Sequence, residues 1–345
     1  MSGTVRLGIV GAGGIVEQRH LPGFTAIEGV AVRAVANRSI ESAQAVADRW
    51  SIPEVGDDWR ALVARDDIDA VVIGTWPYLH RDVTLAALAA GKHVFCQARM
   101  ARNAAEAREM YEAAALSDRV TALCPPPHAM AVERLVRRLL AEGALGDLRL
   151  VRVTALSAGA TDEQRPATWR ERAGWSGQNA LTLGIWAEIV RGWAGETRSV
   201  QALLNTYVPC RPDEASGSYE LAIPDSLAIL SEFANGAQGV WHFSSVAHCP
   251  PPESAELYGS AATLRVVANA GSVWLGRAGE AALSEVPVPD DLANPWRVEA
   301  NFIAALRGAE PVLTSFADGL RYMEFVDAVY RAHSLGGTVR LPLGP

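Results

Sequence analysis

The chain is 345 residues long, 49% of them apolar and 20% charged, and carries a formal net charge of −8. This length suits two domains with sizeable cores. An acidic chain lacks the concentrated basic face that a phosphate backbone requires, so we expect no nucleic-acid partner.

The sequence gives no signal for secretion, membrane insertion or metal binding. The apolar run at residues 7–10 is too short, and too soon interrupted by glycine, for a signal peptide or a membrane span. The four cysteines lie far apart in the sequence and form no C-x-x-C pair. We therefore expect a reduced, cytoplasmic protein with no metal site, no disulfide framework and no membrane partner.

The first third of the chain alternates short apolar runs with helical patterns. The apolar runs predict strands at 5–10, 31–36, 70–74 and 93–96, and the helical patterns predict helices at 39–50, 82–90 and 104–116. Asn103 is a candidate N-cap for the last helix. Continuous apolar strands between helices are typical of a parallel sheet covered on both faces. We predict a nucleotide-binding domain over residues 1–122.

A segment rich in proline, Cys124-Pro125-Pro126-Pro127-His128, marks the junction with a second domain over 123–345. Strands are predicted at 149–156, 199–207, 226–233, 239–245, 255–259, 263–267 and 272–275, with a hairpin turn at Asn235-Gly236. Helices are predicted at 132–142, 181–193, 295–306 and 316–333. The second domain is therefore α/β, with a large, mainly antiparallel, open sheet.

A glycine-rich loop follows the first predicted strand. Gly11, Gly13, Gly14 and Ile15 stand where a dinucleotide fingerprint places its tight turn and the helix N-terminus that receives the pyrophosphate. The last position of the fingerprint is Val16 instead of glycine or alanine. Strand, loop and helix within thirty residues of the N-terminus predict dinucleotide binding.

The end of the second predicted strand, Asn37-Arg38-Ser39, carries no carboxylate. An NAD site usually has an acid there for the ribose 2′-hydroxyl. Asn37 and Ser39 can donate to a phosphate and Arg38 can grip it with two hydrogen bonds. Arg38 can equally be a solvated residue at a strand end. We predict NADP(H) as the preferred cofactor, with NAD(H) possible.

Motifs along nearly the whole chain resemble one family. Asp67-Ile68-Asp69-Ala70-Val71-Val72-Ile73 leads to Thr75 and His80, Ala87–Val94 reads ALAAGKHV, Gly143–Asp147 reads GALGD, and Gly337–Pro342 reads GTVRLP. Together they are similar to the glucose-fructose oxidoreductase/inositol dehydrogenase/rhizopine-catabolism family. The resemblance implies a Rossmann domain, a nicotinamide cofactor, a sugar-like or cyclic small-molecule substrate and a homodimer or homotetramer. It also implies that Thr75, Trp76, His80, Gln97 and Ala98 line the cofactor.

This chain departs from the family pattern at the residues that carry out the family's chemistry. Members usually carry Glu-Lys-Pro where this chain has Gln97, Ala98 and Arg99, and the lysine orients the reacting groups. Members also show Asp and His, four residues apart, where this chain has Thr182 and Trp186. The residues that move protons in relatives are thus replaced.

Several residues remain as candidates for the substrate site. Asn179, Thr182 and Trp186 share one face if they lie on a helix, and Asn179 can bind a hydroxyl. Arg99 could hold an anionic substrate or the cofactor. Trp169 and Arg170 are further substrate-side candidates. Trp76 and Trp186 could form an aromatic wall for a substrate ring, or Trp186 could fill the core.

His128 is the titratable imidazole best placed for proton transfer, since its unperturbed pKa lies near neutrality. The alternative is that it caps the helix that follows. Three functions stay open: an NAD(P)-dependent oxidoreductase; a lyase or isomerase that keeps its cofactor bound; and a nucleotide-binding sensor without catalysis.

Overall fold

The computed structural model describes residues 3–268 and 270–344. Its contacts divide the chain into two compact units, Met1–Pro125 with Arg297–Leu320, and Pro126–Trp296 with Arg321–Pro345. The sequence placed the boundary at 122/123 and assigned all of 123–345 to the second domain. The structure instead groups residues 297–320 with the first unit.

The first unit contains a six-stranded parallel sheet in the order β3-β2-β1-β4-β5-β6. Its strands are β1 Val5–Val10, β2 Val30–Ala36, β3 Glu54–Gly56, β4 Ala70–Ile73, β5 His93–Cys96 and β6 Thr121–Leu123. Its helices are α1 Leu21–Thr25, α2 Ile40–Trp50, α3 Trp59–Val63, α4 His80–Ala89, α5 Ala104–Ala115 and α9 Val298–Leu306. Strand order reverses between β1 and β4, so the crevice at their carboxyl ends is the expected ligand site.

N-cap side chains set the starts of two helices in this unit. Ser39 caps α2 by accepting a hydrogen bond from Ser42 N, and Asn103 caps α5, as predicted, through Glu106 N. The chain after the glycine loop is different from the expected α-helix. It forms a π-helical stretch, Val16–His20, before α1.

The second unit contains a nine-stranded sheet in the order β16-β15-β14-β13-β7-β12-β11-β8-β17. The strands are β7 Leu148–Leu156, β8 Thr197–Asn205, β11 Ser226–Phe233, β12 Gln238–Ser244, β13 Ser254–Gly259, β14 Ala262–Val267, β15 Ser272–Arg277, β16 Ser284–Val286 and β17 Val339–Arg340; a separate hairpin pairs β9 Cys210–Asp213 with β10 Gly217–Glu220. Only the pair β7–β12 is parallel among the described strands of the sheet. The predicted mainly antiparallel sheet is confirmed.

The two faces of this sheet differ. On β11, Leu227, Ile229 and Phe233 are buried, whereas Leu230 on the opposite face is exposed. The buried face packs against helix α10, Phe316–Leu335, where Phe325 lies 5.1 Å from the ring of Trp241. The remaining helices are α6 Glu133–Ala141, α7 Ala173–Ser176 and α8 Leu183–Ala194. In the described parts of the chain, no helix has both the length and the apolarity to cross a bilayer.

Candidate active site

The glycine loop and the end of β2 line one cavity of about 550 Å³ in the first unit. Of the cofactor residues predicted from sequence, the lining includes Gly11, Gly13, Asn37, Arg38, Ser39, Thr75 and Trp76. The cavity lies at the carboxyl ends of β1, β2 and β4, where doubly wound sheets bind ligands. Asp57 and Trp59 also line it, and sequence reasoning named neither.

The geometry of the loop fits a pyrophosphate. Gly11 has φ +83°, and a β-carbon there would collide with the backbone of Thr75. A β-carbon on Gly13 or Gly14 would meet no atom within 4 Å, so both face open space. Thr75 Oγ1 is buried and has no hydrogen-bond partner among the described residues, which leaves it available to a ligand. These residues would hold a dinucleotide, with its phosphates at the loop.

Asn37 stabilises the glycine loop, and Ser39 stabilises the start of helix α2. Asn37 Oδ1 accepts a 2.7 Å hydrogen bond from Ala12 N, which ties the end of β2 to the loop. Ser39 Oγ is engaged as the cap of α2. Arg38 has its guanidinium 5.6 Å from the ring centroid of Trp76. Arg38 therefore places a cation in the lining of the cavity, at the end of β2.

His80 and Gln97 are buried inside the first unit. His80 Nε2 lies 2.9 Å from Thr75 O, and its Nδ1 lies 3.0 Å from Arg99 O, so the ring joins the loops after β4 and β5. Burial lowers the pKa of His80, which favours the neutral ring. Gln97 Oε1 accepts from Ala98 N, and its Nε2 lies 2.5 Å from His20 Nε2. His20 Nδ1 in turn lies 2.5 Å from Glu299 Oε1. The side chains of His80 and Gln97 thus stabilise the loops after β4 and β5 from inside the first unit.

In the second unit, three predicted residues converge on a carboxylate that sequence reasoning missed. Glu253 Oε1 accepts hydrogen bonds from Trp186 Nε1 at 2.6 Å and from Thr182 Oγ1 at 2.9 Å. Glu253 Oε2 lies 3.9 Å from His128 Nε2. The positions that carry Asp and His in relatives therefore hold a glutamate in place. We call His128, Thr182, Trp186 and Glu253 the Glu253 cluster.

The predicted helix face is wrong in one respect. Helix α8 begins at Leu183, with Thr182 at its N-cap, and Leu181 has φ +48°, so Asn179 does not lie on the helix. Asn179 Nδ2 donates to Ser176 O at 2.6 Å. Its amide group therefore stabilises the turn before α8.

Trp186 lies in the core of the second unit, and its ring contacts that of His128. Trp186 is fully buried, as the core alternative required, yet its Nε1 binds Glu253. Its ring centroid lies 6.5 Å from that of His128, edge to face. The N-cap residues of the two helical turns after His128 are Ala129 and Val132. His128 is therefore not the N-cap residue of either turn.

The other candidates occupy separate segments. Trp169 and Arg170 form the turn Trp169–Glu171, where the guanidinium lies 4.3 Å from the indole centroid. Arg99 is half-buried in the loop after β5, and Ile15 is 43% exposed in the helical turn after the glycines.

A sequence signal for Glu253 existed. Cys249-Pro250-Pro251-Pro252 precedes Glu253 just as Cys124-Pro125-Pro126-Pro127 precedes His128. Three prolines fix the backbone before each titratable residue and limit the freedom of the chain there.

Comparisons with known proteins agree with this fold. A family model described as "Oxidoreductase family, NAD-binding Rossmann fold" matches residues 5–123, and the "GFO/IDH/MocA C-terminal domain" matches residues 134–265. Levoglucosan dehydrogenase of Pseudarthrobacter phenanthrenivorans is 28% identical over 71% of this chain and 68% of its own length. Trans-1,2-dihydrobenzene-1,2-diol dehydrogenase of Oryctolagus cuniculus is 31% identical, over 60% of this chain and 59% of its own length.

Solved structures show the same architecture. A levoglucosan dehydrogenase in complex with NADH and L-sorbose superposes with a TM-score of 0.85 at 23% identity, covering 98% of this chain and 99% of that one. A dehydrogenase of Bordetella pertussis, in complex with NADH and UDP-GlcNAcA, gives a TM-score of 0.80 at 20% identity, covering 99% and 100%. At these identities the likeness establishes the fold.

Proposed function

Because this chain belongs to the GFO/IDH/MocA family and is an NAD(P)-dependent oxidoreductase, we propose that it moves hydride between NADP(H) and a sugar-like or cyclic alcohol or ketone. The curated relatives named above act on levoglucosan and on a cyclic diol, by their names. Another relative, from Streptomyces violaceoruber, is a reductase of a dTDP-linked keto sugar, 34% identical over 53% of this chain and 52% of its own length. These names support the substrate class.

The observation that carries the cofactor proposal is Arg38 in the lining of the cavity. The end of β2 offers no carboxylate for a ribose 2′-hydroxyl, and Arg38 can hold a 2′-phosphate bidentately. Thr75, with its unsatisfied hydroxyl, and the glycine loop would hold the rest of the dinucleotide. When bound, the nicotinamide supplies the hydride donor or acceptor.

The cofactor transfers the hydride, so the proton of the alcohol must be donated or accepted by a group of the protein. His128 is the imidazole proposed for this step, and the Glu253 cluster supports the proposal because it brings His128 beside a carboxylate in the second unit. Trp169 and Arg170 are proposed to contact substrate, since an exposed cation stacked on an indole offers both charge and an apolar ring.

The assembly is also a proposal. Leu203, Leu230 and Val240 are 63%, 55% and 40% exposed on the open face of the nine-stranded sheet. Leu230 stands directly opposite Val240 in the register of β11 and β12. An apolar patch of this kind supports a homodimer or homotetramer formed through the sheet. All four cysteines are thiols outside any disulfide, which supports a reducing cytoplasmic setting.

The test is an absorbance assay at 340 nm with a panel of sugar-like and cyclic ketones, with NADPH and NADH compared. Net consumption of NADPH with at least one ketone supports the proposal. Product formation without net consumption would instead establish a lyase or isomerase that regenerates its cofactor. Mass spectrometry of nucleotides that co-purify identifies the cofactor independently.

A further inference from the structure

Three buried polar side chains of the first unit form a series of contacts that ends at the loop after β5. His20 is fully buried, and Glu299 and Gln97 are 3% and 8% exposed. His20 Nδ1 lies 2.5 Å from Glu299 Oε1, and its Nε2 lies 2.5 Å from Gln97 Nε2. Gln97 Oε1 accepts a 3.0 Å hydrogen bond from Ala98 N. We call Glu299, His20 and Gln97 the His20 network.

The backbone decides how the carboxamide of Gln97 is oriented. A peptide N–H only donates, so the atom that faces Ala98 N must be the oxygen Oε1. The amino group Nε2 then faces His20, and it too only donates. His20 Nε2 must therefore accept, which requires a ring nitrogen without a proton. Two donors facing each other at so buried a position would both lose their acceptors, which is costly.

The proton of His20 must then lie on Nδ1. A neutral imidazole carries one proton, and because Nε2 accepts, Nδ1–H donates to Glu299 Oε1. An imidazolium would carry a second proton on Nε2 and would point it at the amino group of Gln97. The three side chains therefore donate in series, from Gln97 to His20 and from His20 to Glu299.

Packing holds the His20 network in this arrangement. The ring of His20 lies 5.0 Å from that of Phe95 on β5, edge to face. Glu299 lies in the first turn of α9, within the segment 297–320 that the contacts group with the first unit. A β-carbon on Gly23 in α1 would lie 2.6 Å from Cγ of Glu299, so the glycine makes room for this side chain. Segment 297–320 thus supplies the last acceptor of the network.

We propose that Glu299 and His20 are positioning residues, which fix the amide of Gln97 and through it the backbone N–H of Ala98 in the loop at the carboxyl end of β5. The part of that loop in cofactor binding rests on the proposed function. Neither His20 nor Glu299 is among the described residues that line the cofactor cavity. Their effect on the nucleotide is therefore exerted through the conformation of the loop.

The position of the ring proton is measured by ¹⁵N NMR of the histidine side chains in the full-length protein. Wild-type His20 should show a protonated Nδ1 and an unprotonated Nε2 at neutral pH. Gln97→Glu replaces the amino group by a second acceptor, so His20 should gain a proton on Nε2. Gln18→Glu, the same change at an exposed side chain of the same unit, is the matched control and should leave the His20 signals unchanged. A wild-type ring protonated on Nε2 overturns the inference.

The effect on the loop is measured by hydrogen exchange at Ala98 N and by calorimetric titration with NADPH. His20→Phe removes both ring nitrogens. It should speed exchange at Ala98 and weaken nucleotide binding about fivefold, the equivalent of one neutral hydrogen bond. Amides of β4 serve as the reference for any global loss of stability, and circular dichroism confirms the fold.

A second variant leaves the ring of His20 in place. Gly23→Ala should displace Glu299, so it should change the exchange of Ala98 and the nucleotide affinity in the same direction as His20→Phe. Exchange at Ala98 that stays at the wild-type rate in both folded variants overturns the inference. A wild type that binds no nucleotide counts against the proposed function instead, because the ring proton and the exchange at Ala98 are measured without nucleotide.

Discussion

Gly74 and Val16 face each other so closely that a β-carbon at position 74 would overlap Cγ2 of Val16. The dinucleotide fingerprint usually keeps a glycine or alanine at the position of Val16, so that the helix can approach the strand. Here the residue without a side chain is Gly74, directly after β4, instead. The departure at Val16 is therefore compatible with the expected packing of the phosphate loop.

Gly74→Ala should destabilise the first unit by about 2 kcal/mol, because an added methyl group in packed surroundings forces the neighbours apart. Val16→Ala should rescue it only in part, since the carbonyl oxygen of Gly11 also lies 2.5 Å from the added carbon. Thermal melting of both variants measures this. Gly3→Ala, where the added carbon meets nothing, is the control. Equal melting temperatures for Gly74→Ala and the control would contradict the packing argument.

The acid stability of the second unit depends on Glu171. Burial by itself would raise the pKa of Glu171, but hydrogen bonds from Arg165 and Thr168 outweigh it and lower the pKa to about 2. A depressed carboxyl pKa contributes stability above its ordinary value of 4.5, and that contribution is lost as the pH falls from 4.5 towards 2. The carboxylate also binds Arg211, whose side chain is fully buried.

Glu171→Gln should cost about 2 kcal/mol at neutral pH, because Arg211 loses its charged partner. The same variant should show a flatter loss of stability between pH 4.5 and 2 than the wild type. Urea unfolding at a series of pH values measures both effects. Glu214→Gln, an exposed acid, serves as control. Parallel stability curves for wild type and Glu171→Gln below pH 4.5 would disprove the assignment.

The proposed oligomer can be tested at the open face of the sheet. Leu230→Arg places a charge among Leu203 and Val240, which should abolish association while the monomer stays folded, since the residue is exposed. Light scattering measures the mass of wild type and variant. Leu116→Arg, at a residue 91% exposed in the first unit, is the control. A wild-type protein that is monomeric, or a variant of unchanged mass, would remove this face as the interface.

Sequence patterns predicted the elements with strong periodicity and missed those without it. Strand β1, β5 and β11 have the predicted bounds, because their apolar runs end at glycine or polar turns. The strands β3, β6, β9, β10, β16 and β17 were not predicted, since they are only two to four residues long and lack the continuous apolar run that marks β4 and β5. The sequence predicts a helix over 181–193, but the left-handed backbone conformation of Leu181 delays the start of α8 to Leu183.

The cofactor cavity was largely predictable, whereas in the Glu253 cluster the repeated Cys-Pro-Pro-Pro motif marks Glu253 but not the residues that it meets. The loop glycines, Asn37 and Arg38 are close in sequence to the strands that position them. Glu253 meets His128, Thr182 and Trp186 only through tertiary packing, and no sequence spacing encodes that meeting. Glu253 binds Thr182 and Trp186, the two positions at which this chain departs from the family's Asp and His. That contact depends on side-chain geometry, which the pattern of residues does not specify.

The proposed cofactor preference can be tested by changing charges in the lining of the cavity. Arg38→Asp should weaken NADPH binding more than tenfold, because charge-assisted hydrogen bonds to a phosphate contribute about 1.5–3 kcal/mol. It should spare or improve NADH binding, because the new acid can accept from the ribose 2′-hydroxyl. Arg38→Lys keeps the charge without the bidentate fork and should fall between wild type and Arg38→Asp. Asp57 lines the same cavity, so Asp57→Asn should tighten NADPH binding by removing a like charge. Calorimetric titration of both nucleotides against the four proteins measures these changes, and unchanged NADPH affinity in Arg38→Asp would exclude Arg38 from the phosphate site.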